Sequence, residues 1–365
     1  MNRKKIIALI LSTALFSLAG CSNINQEKVF SDDDIVATVG NINMDYAATC
    51  TYTKMMQAET YSYLKNMFSS FGSTSSRIWA QQMDESKKTY GEQFNETSLS
   101  SIRDILIANL HKDDYGIEFT KEDKLNCEQV ANDFIANTDK KALESMNTDF
   151  DALMDVLELM TVETKMKSKI MNDVDVEFSE ADAKQASFNY LKVKNEKEAK
   201  KIINEVNDGS DIKTVAENNK LTLENGNYTV SSPEYNKYDS MMLDVVLNLK
   251  EGECDYYSND GQVIVVHMNS LNDKDATNAK IEELTLKKKN DVYEETIEAW
   301  KLQDKVVIDD DAWKTIEAND KVIFEKKELD VNKDNINGGT ISSGDTTTSI
   351  DITSSDGGDV NATVY

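Results

Sequence analysis

The stretch Gln185-Ala186-Ser187-Phe188-Asn189-Tyr190-Leu191-Lys192-Val193 opens a segment, running to Leu271, whose reading decides the fold. Residues 186–193 are short, mixed in polarity and bounded by charge, the pattern of a strand. From Glu196 to Val206, the residues Ala199, Ile202, Ile203 and Val206 fall at helical spacing. Asn207-Asp208-Gly209 ends that helix, and residues 211–218 give a second short one carrying Ile212, Val215 and Ala216. A polar stretch follows, holding the chain's only proline, Pro233. Met242, Val245, Val246 and Leu249 mark a third helical face. Gly252 turns the chain, and residues 261–268 close as an apolar strand. The expected order is strand, helix, helix, helix, strand, and about 90 residues suffice for one small core under a sheet.

Outward from this segment the chain reads as helical. Upstream, residues 35–42 are extended, and Asp45 caps a long helix reaching Phe68. Its apolar face is expected to hold Tyr46, Tyr52, Met56, Tyr63, Met67 and Phe68. Residues 69–76 are a Ser/Thr/Gly loop, residues 91–97 punctuate, and a helix runs from Ser98 to His111. Two more helices are expected, one centred on residues 124–136 and a long one over 149–171, with 174–183 as a link. Downstream, residues 273–300 form a charged helix whose buried stripe includes Ile281, Leu284, Val292, Tyr293, Ile297 and Trp300. Residues 305–309 are extended, and a last turn at 311–316 carries Trp313.

Several of these residues carry a family resemblance. Asn189-Tyr190-Leu191-Lys192-Val193, residues 196–203 and residues 209–216 resemble the first strand and two helices of a parvulin-type prolyl isomerase. Residues 247–253 and 261–266 resemble its third helix and last strand. The extended piece at 36–42 running into a helix, and Gly116-Ile117-Glu118-Phe119-Thr120 before an acidic helix, resemble exported foldases of the PrsA and SurA type. Here Gly40-Asn41 inverts the family's usual Asn-Gly turn. The resemblance implies an α+β fold: a mostly helical chaperone domain with an inserted small parvulin-like α/β domain. It implies a helical part at 35–175, a parvulin-like part at 176–272, and a returning helix at 273–318 that completes the helical part.

The ends of the chain read differently. Arg3, Lys4 and Lys5 precede an apolar run, residues 6–18, that is too short for an ordinary membrane span. Leu18-Ala19-Gly20-Cys21 resembles the bacterial lipobox, which implies removal of residues 1–21 as a lipoprotein signal peptide, with lipidation at Cys21. Residues 22–34 are then a tether on the outer face of a cell membrane. Residues 319–365 form an acidic Ser/Thr/Gly tail expected to be disordered.

Composition narrows the function classes. Forty basic against 66 acidic residues give a formal charge of −26, which argues against a nucleic-acid partner. With Cys21 assigned to lipid, Cys50, Cys127 and Cys254 remain; a Cys50–Cys127 bridge is an open alternative, and a disulfide framework is excluded. The two histidines, His111 and His267, lie far apart, so neither a metal site nor a cofactor is expected. Fourteen methionines suit an adaptable client-binding surface or an ordinary core, and both readings stay open.

The resemblance also implies site residues. Tyr190, Met242, Leu243, Val246 and Val263 match the floor of the family's proline pocket. The family's paired histidines fall at Tyr190 and Val263, so little or no isomerase activity is expected and no catalytic residue is assigned. His267 lies four residues beyond Val263, roughly 13 Å along a strand. The leading function is a membrane-anchored extracytoplasmic chaperone for unfolded or newly translocated secreted proteins. The alternatives are an active prolyl isomerase on the same scaffold and a solute-binding lipoprotein. A homodimer is left open.

Overall fold

The structure, a computed structural model, describes residues 29–70, 77–83, 87–235 and 237–318. The signal peptide, Cys21 and the 319–365 tail lie outside the described residues. The fold is mostly helical with two small antiparallel sheets.

Two strands, β1 (Ile35–Val39) and β2 (Ile42–Asp45), pair antiparallel and lead into helix α1 (Tyr46–Ser70). There follow α2 (Tyr90–Leu110), a 3-10 turn at Lys112–Tyr115, α3 (Lys121–Asn137), α4 (Lys140–Met146) and α5 (Phe150–Asp173). The short α6 (Glu180–Ala183) precedes β3 (Gln185–Val193), α7 (Glu196–Asn207), α8 (Ile212–Asn219), β4 (Leu223–Thr229), α9 (Ser240–Val246), β5 (Cys254–Asn259) and β6 (Gln262–Asp273). The chain then returns through α10 (Lys274–Gln303), β7 (Val307–Ile308) and α11 (Asp310–Ile316).

Each helix begins where the chain places a short polar side chain. Asp45 accepts the N–H of Ala48 at 2.8 Å, and Thr89 and Thr120 form reciprocal capping boxes with Glu92 and Asp123. Asp139, Asp149, Ser179, Asn195, Asp211, Asp239, Asp273 and Asp309 cap the rest. These side chains satisfy N–H groups that the helix leaves open, and the carboxylates also face the positive end of the helix dipole. Part of the acidic excess is thus spent on fixing where helices start.

One core joins the first and the last of the described elements. Val36 and Val39 of β1, Met44 of β2, Ile102 and Leu106 of α2, and Met166 of α5 pack with Tyr293 and Ile297 of α10 and Trp313 and Ile316 of α11. β7 adds to β1 with Ala37 opposite Ile308, making the three-stranded sheet β2-β1-β7. A second cluster packs α3 on α5 through Cys127, Val130, Leu153 and Leu157. Cys50 and Cys127 are both buried free thiols, so the bridge left open above is not formed.

The second sheet has the order β4-β3-β6-β5, all antiparallel. One face carries α7 and α8 through Ala199, Ile202, Ile212 and Val215. The other carries α9 through Met242, Leu243 and Val246. β6 runs directly into α10, and the N–H of Gln185 in β3 donates to Thr277 Oγ1 of α10 at 3.0 Å.

Several expectations change. The order strand, helix, helix, helix, strand omits two strands, because β4 and β5 are polar edge strands with no apolar run to announce them. Residues 91–97 do not break the chain; α2 starts at Tyr90. Gly91 allows this, since its N–H meets the Trp79 carbonyl at 2.9 Å and a Cβ there would stand 2.9 Å from the same oxygen. In α1 the expected face is wrong at Tyr63, which is 68% exposed. The buried face instead includes Thr49, Thr51, Thr53, Lys54 and Gln57. Met44, Met146 and Met166 are core side chains, which is plain packing and not an adaptable surface.

Lys54 is only 5% exposed. Its ammonium donates to Gln57 Oε1 at 3.0 Å and to the carbonyls of Ile316 at 2.6 Å and Glu317 at 3.1 Å, at the C-terminal end of α11. Burial pulls its pKa down to about 8, against smaller opposing effects of Cys50 and Glu317. The folded protein therefore loses this proton before the unfolded chain does, and stability due to Lys54 rises with pH between about 8 and the ordinary lysine value. Relative to Lys54→Met, the wild type should gain up to about 3 kcal/mol of unfolding free energy from pH 7 to 10.5. Urea unfolding of both proteins across that range checks this, and parallel pH profiles rule it out.

Candidate functional site

The register of the four-stranded sheet decides which side chains meet. Residues directly opposite in neighbouring strands share a face, and the face alternates along each strand. Tyr190 in β3 lies opposite Val266 in β6, which lies opposite Asp255 in β5, while Glu224 in β4 flanks Tyr190 on the other side. This row is on the α9 face. Val193 lies opposite Val263, on the α7–α8 face.

The five expected floor residues therefore do not form one set. Tyr190, Met242, Leu243 and Val246 converge on one face, with Phe188 beneath them. Val263 packs on the other face against Leu191, Ile202 and Val265. It was matched from an apolar run, Val263-Ile264-Val265-Val266, in which the sequence alone does not reveal which members point which way. Leu243 and Val246 are fully enclosed, so they shape the face from below. Tyr190, half-buried, and Met242, at its margin, are the members nearest solvent.

An aromatic cluster surrounds Tyr190. Phe188 packs against Tyr190, Tyr228 and Tyr238, with ring centroids 6.2, 6.4 and 5.2 Å away. Tyr238 Oη accepts the Asn227 N–H at 3.0 Å, and Lys237 lies over its ring while bonding Asn227 Oδ1 at 2.7 Å. Burial raises the Tyr190 pKa, and the nearby Glu224 and Tyr238 raise it further. The phenol stays a neutral donor at physiological pH.

The groups most able to do chemistry stand elsewhere. His267 lies between Asn189 and Cys254 in the ladder, on the α7–α8 face, and its Nδ1 meets Asn269 Oδ1 at 2.8 Å. Burial, and then the charge of Asp255, push the Cys254 thiol up to about 12, far from a thiolate nucleophile at neutral pH. The adjacency of His267 and Cys254 was not legible from sequence, because it depends on pairing by the unrecognised strand β5. Among the described residues, no group of three or more His, Cys, Asp or Glu side chains is placed to hold a metal ion. No helix among them is long and apolar enough to cross a membrane.

Gly226 is the local constraint on this face. It lies opposite Phe188, and a Cβ on it would stand 2.3 Å from Phe188 Cζ. Gly226→Ala must push the fully buried Phe188 ring off its place, so a loss of roughly 1–3 kcal/mol of stability is expected. Chemical denaturation measures it, and a loss under about 0.5 kcal/mol would show that the ring has room to move.

No family model and no curated protein matches the chain. Among solved structures it is similar to the foldase protein PrsA from Lactococcus lactis, at 12% identity and a TM-score of 0.32, covering 78% of this chain and 97% of that one. It is also similar to a structure from work on PEB4 and Cj1289, two SurA-like chaperones of Campylobacter jejuni, at 12% identity and a TM-score of 0.26, covering 75% and 98%. A third is PrsA from Streptococcus pneumoniae, at 14% identity and a TM-score of 0.29, covering 65% and 97%. The likeness is remote and concerns the fold.

Proposed function

We propose that the protein is an extracytoplasmic chaperone that binds unfolded polypeptide and does not catalyse prolyl isomerisation. The observation that carries this is the composition of the α9 face. Half-buried Tyr190 and Tyr238 present aromatic surface there over the buried Phe188 and Met242, while His267 and Cys254 stand on the opposite face. Isomerisation needs polar groups that favour the twisted imide over the planar one. The two positions matched to the family's histidine pair, Tyr190 and Val263, are on opposite faces and hold no imidazole. Binding by aromatic side chains needs no such pair, since a ring supplies area together with a polar handle.

In this reading residues 35–175 and 273–318 form the helical part and residues 176–272 the inserted sheet part. Lipid on Cys21 holds the protein at the outer face of a cell membrane, where its clients are newly translocated chains. The acidic surface keeps a tethered protein off anionic headgroups.

Two measurements test the proposal on the chain from Ser22 onward. Light scattering of a chemically unfolded secreted enzyme should show slowed aggregation at near-equimolar chaperone. NMR exchange on a Xaa-Pro peptide should show interconversion within about twofold of the uncatalysed rate, which takes tens to hundreds of seconds. A large acceleration that Tyr190→Phe abolishes makes the protein an isomerase instead. Unchanged aggregation, together with a small ligand that raises the melting temperature, favours solute binding.

A further inference from the structure

Among the described residues the four-stranded sheet ends at β5, which pairs with β6 alone. An edge strand offers unpaired N–H and C=O groups to any chain that lies beside it. Tyr256 shows how this edge is held: its N–H donates to the carboxylate of the preceding residue, Asp255 Oδ1, at 2.8 Å.

A cleft of about 720 Å³ runs along this edge. Its helical wall is α9 and the turn beyond it, through Met241, Val245 and Leu249. Met241 and Val245 fall four residues apart and so share one side of α9, and Leu249 follows in the turn beyond it. Met241 is 42% exposed. β5 itself supplies the other wall. Asp244, Glu253 and Asp255 line the cleft, and no basic residue does. None of the five floor residues expected from the sequence lines it.

Tyr257 gives a second, independent sign of a ligand. It lines the cleft and is 5% exposed, and its buried hydroxyl has no hydrogen-bond partner among the described residues. A buried hydroxyl left unpaired is unfavourable, and a bound polar group relieves it.

We infer that the β5 edge takes up an extended polypeptide strand that carries a lysine or arginine two residues from an apolar residue. This rests on the polypeptide-binding reading above and gives it a place and a sequence preference. The incoming main chain pairs with β5, and one of its carbonyls replaces Asp255 at the Tyr256 N–H. Side chains of a strand alternate in direction, so every second residue faces α9, where apolar ones meet Met241, Val245 and Leu249 and basic ones reach Asp244 and Asp255. The Tyr257 hydroxyl, which stands above the sheet plane on the α9 side, pairs with a polar side chain of the strand that enters the cleft.

The test uses the chain from Ser22 onward and fluorescence anisotropy of three labelled nonapeptides. The first carries valine and lysine in turn at every second position with serine between them, the second has alternate backbone nitrogens methylated, and the third has glutamate for lysine. The first should bind, and methylation or charge reversal should weaken it about tenfold or more. Met241→Asp, an exposed change that leaves the core intact, should weaken it similarly, and Tyr257→Phe by about three- to tenfold. Circular dichroism confirms that each variant is folded. If the methylated peptide binds as well as the plain one, or if neither variant changes binding, the edge inference is overturned. Aggregation suppression is measured in parallel. Suppression by the wild type with no discrimination among the peptides defeats the edge inference and leaves the chaperone reading standing. Neither suppression nor peptide binding defeats both.

Discussion

The fold depends on the closure between Lys54 and the end of α11. The ammonium holds the Ile316 and Glu317 carbonyls where α11 stops, and just before that helix β7 pairs with β1. Joining residues that far apart in the chain costs about 5 kcal/mol in loop entropy, since the cost grows only with the logarithm of length. Burial of Tyr293, Ile297, Trp313 and Ile316 returns roughly 1.5–3 kcal/mol apiece, so packing outweighs the closure. The sheet unit lowers the cost further once folded. β3 and the start of α10 then lie together through Gln185 and Thr277, and the segment between them no longer counts as free loop. Undocking α11 would cost β1 its second partner and free the end of α10, the helix that reaches both the sheet and the central core.

The helices were largely legible, because a cap residue followed by a 3.6-residue apolar period marks both start and face. The long helix expected over 149–171 is α5, capped by Asp149, and the charged helix from 273 is α10, capped by Asp273. Where burial is polar, the same logic fails. Helix α1 buries Thr49, Thr51 and Thr53, and Thr51 Oγ1 meets Thr148 Oγ1 at 2.9 Å, a contact 97 residues apart that no local pattern announces. Lys54 fails for the same reason: a lysine in a helix reads as solvated until its acceptors arrive from the other end of the chain.

The candidate site was legible in part. Met242 and Val246 of α9 could be read from spacing, and Leu243 and Tyr190 only from the resemblance. Their relation to Val263 could not. A strand buried on both faces is a continuous apolar run, so alternation, the usual guide to facing, is erased. Register then comes only from partners, and two of the partners here, β4 and β5, are polar strands at the sheet edges. That is why Val263 was grouped with residues on the far side of the sheet, and why His267 and Cys254 were not seen as neighbours.

The same carboxylate device serves two ends. At the helix starts, aspartates such as Asp149 and Asp273 accept N–H groups that the helix will never pair, and these bonds are permanent parts of the fold. At the β5 edge, Asp255 accepts the Tyr256 N–H, which another strand is equally able to use. A carbonyl that takes its place exchanges one hydrogen bond for another, and the displaced carboxylate returns to water. With each net bond contributing about 0.5–1.5 kcal/mol, the exchange is close to neutral. The carboxylate therefore keeps the edge from pairing indiscriminately while adding little barrier to a strand that brings other contacts. Those other contacts are the apolar strip of α9 and the turn beyond it, the Tyr257 hydroxyl, which is partnerless among the described residues, and the carboxylates of Asp244 and Asp255, and selectivity at this edge follows from them.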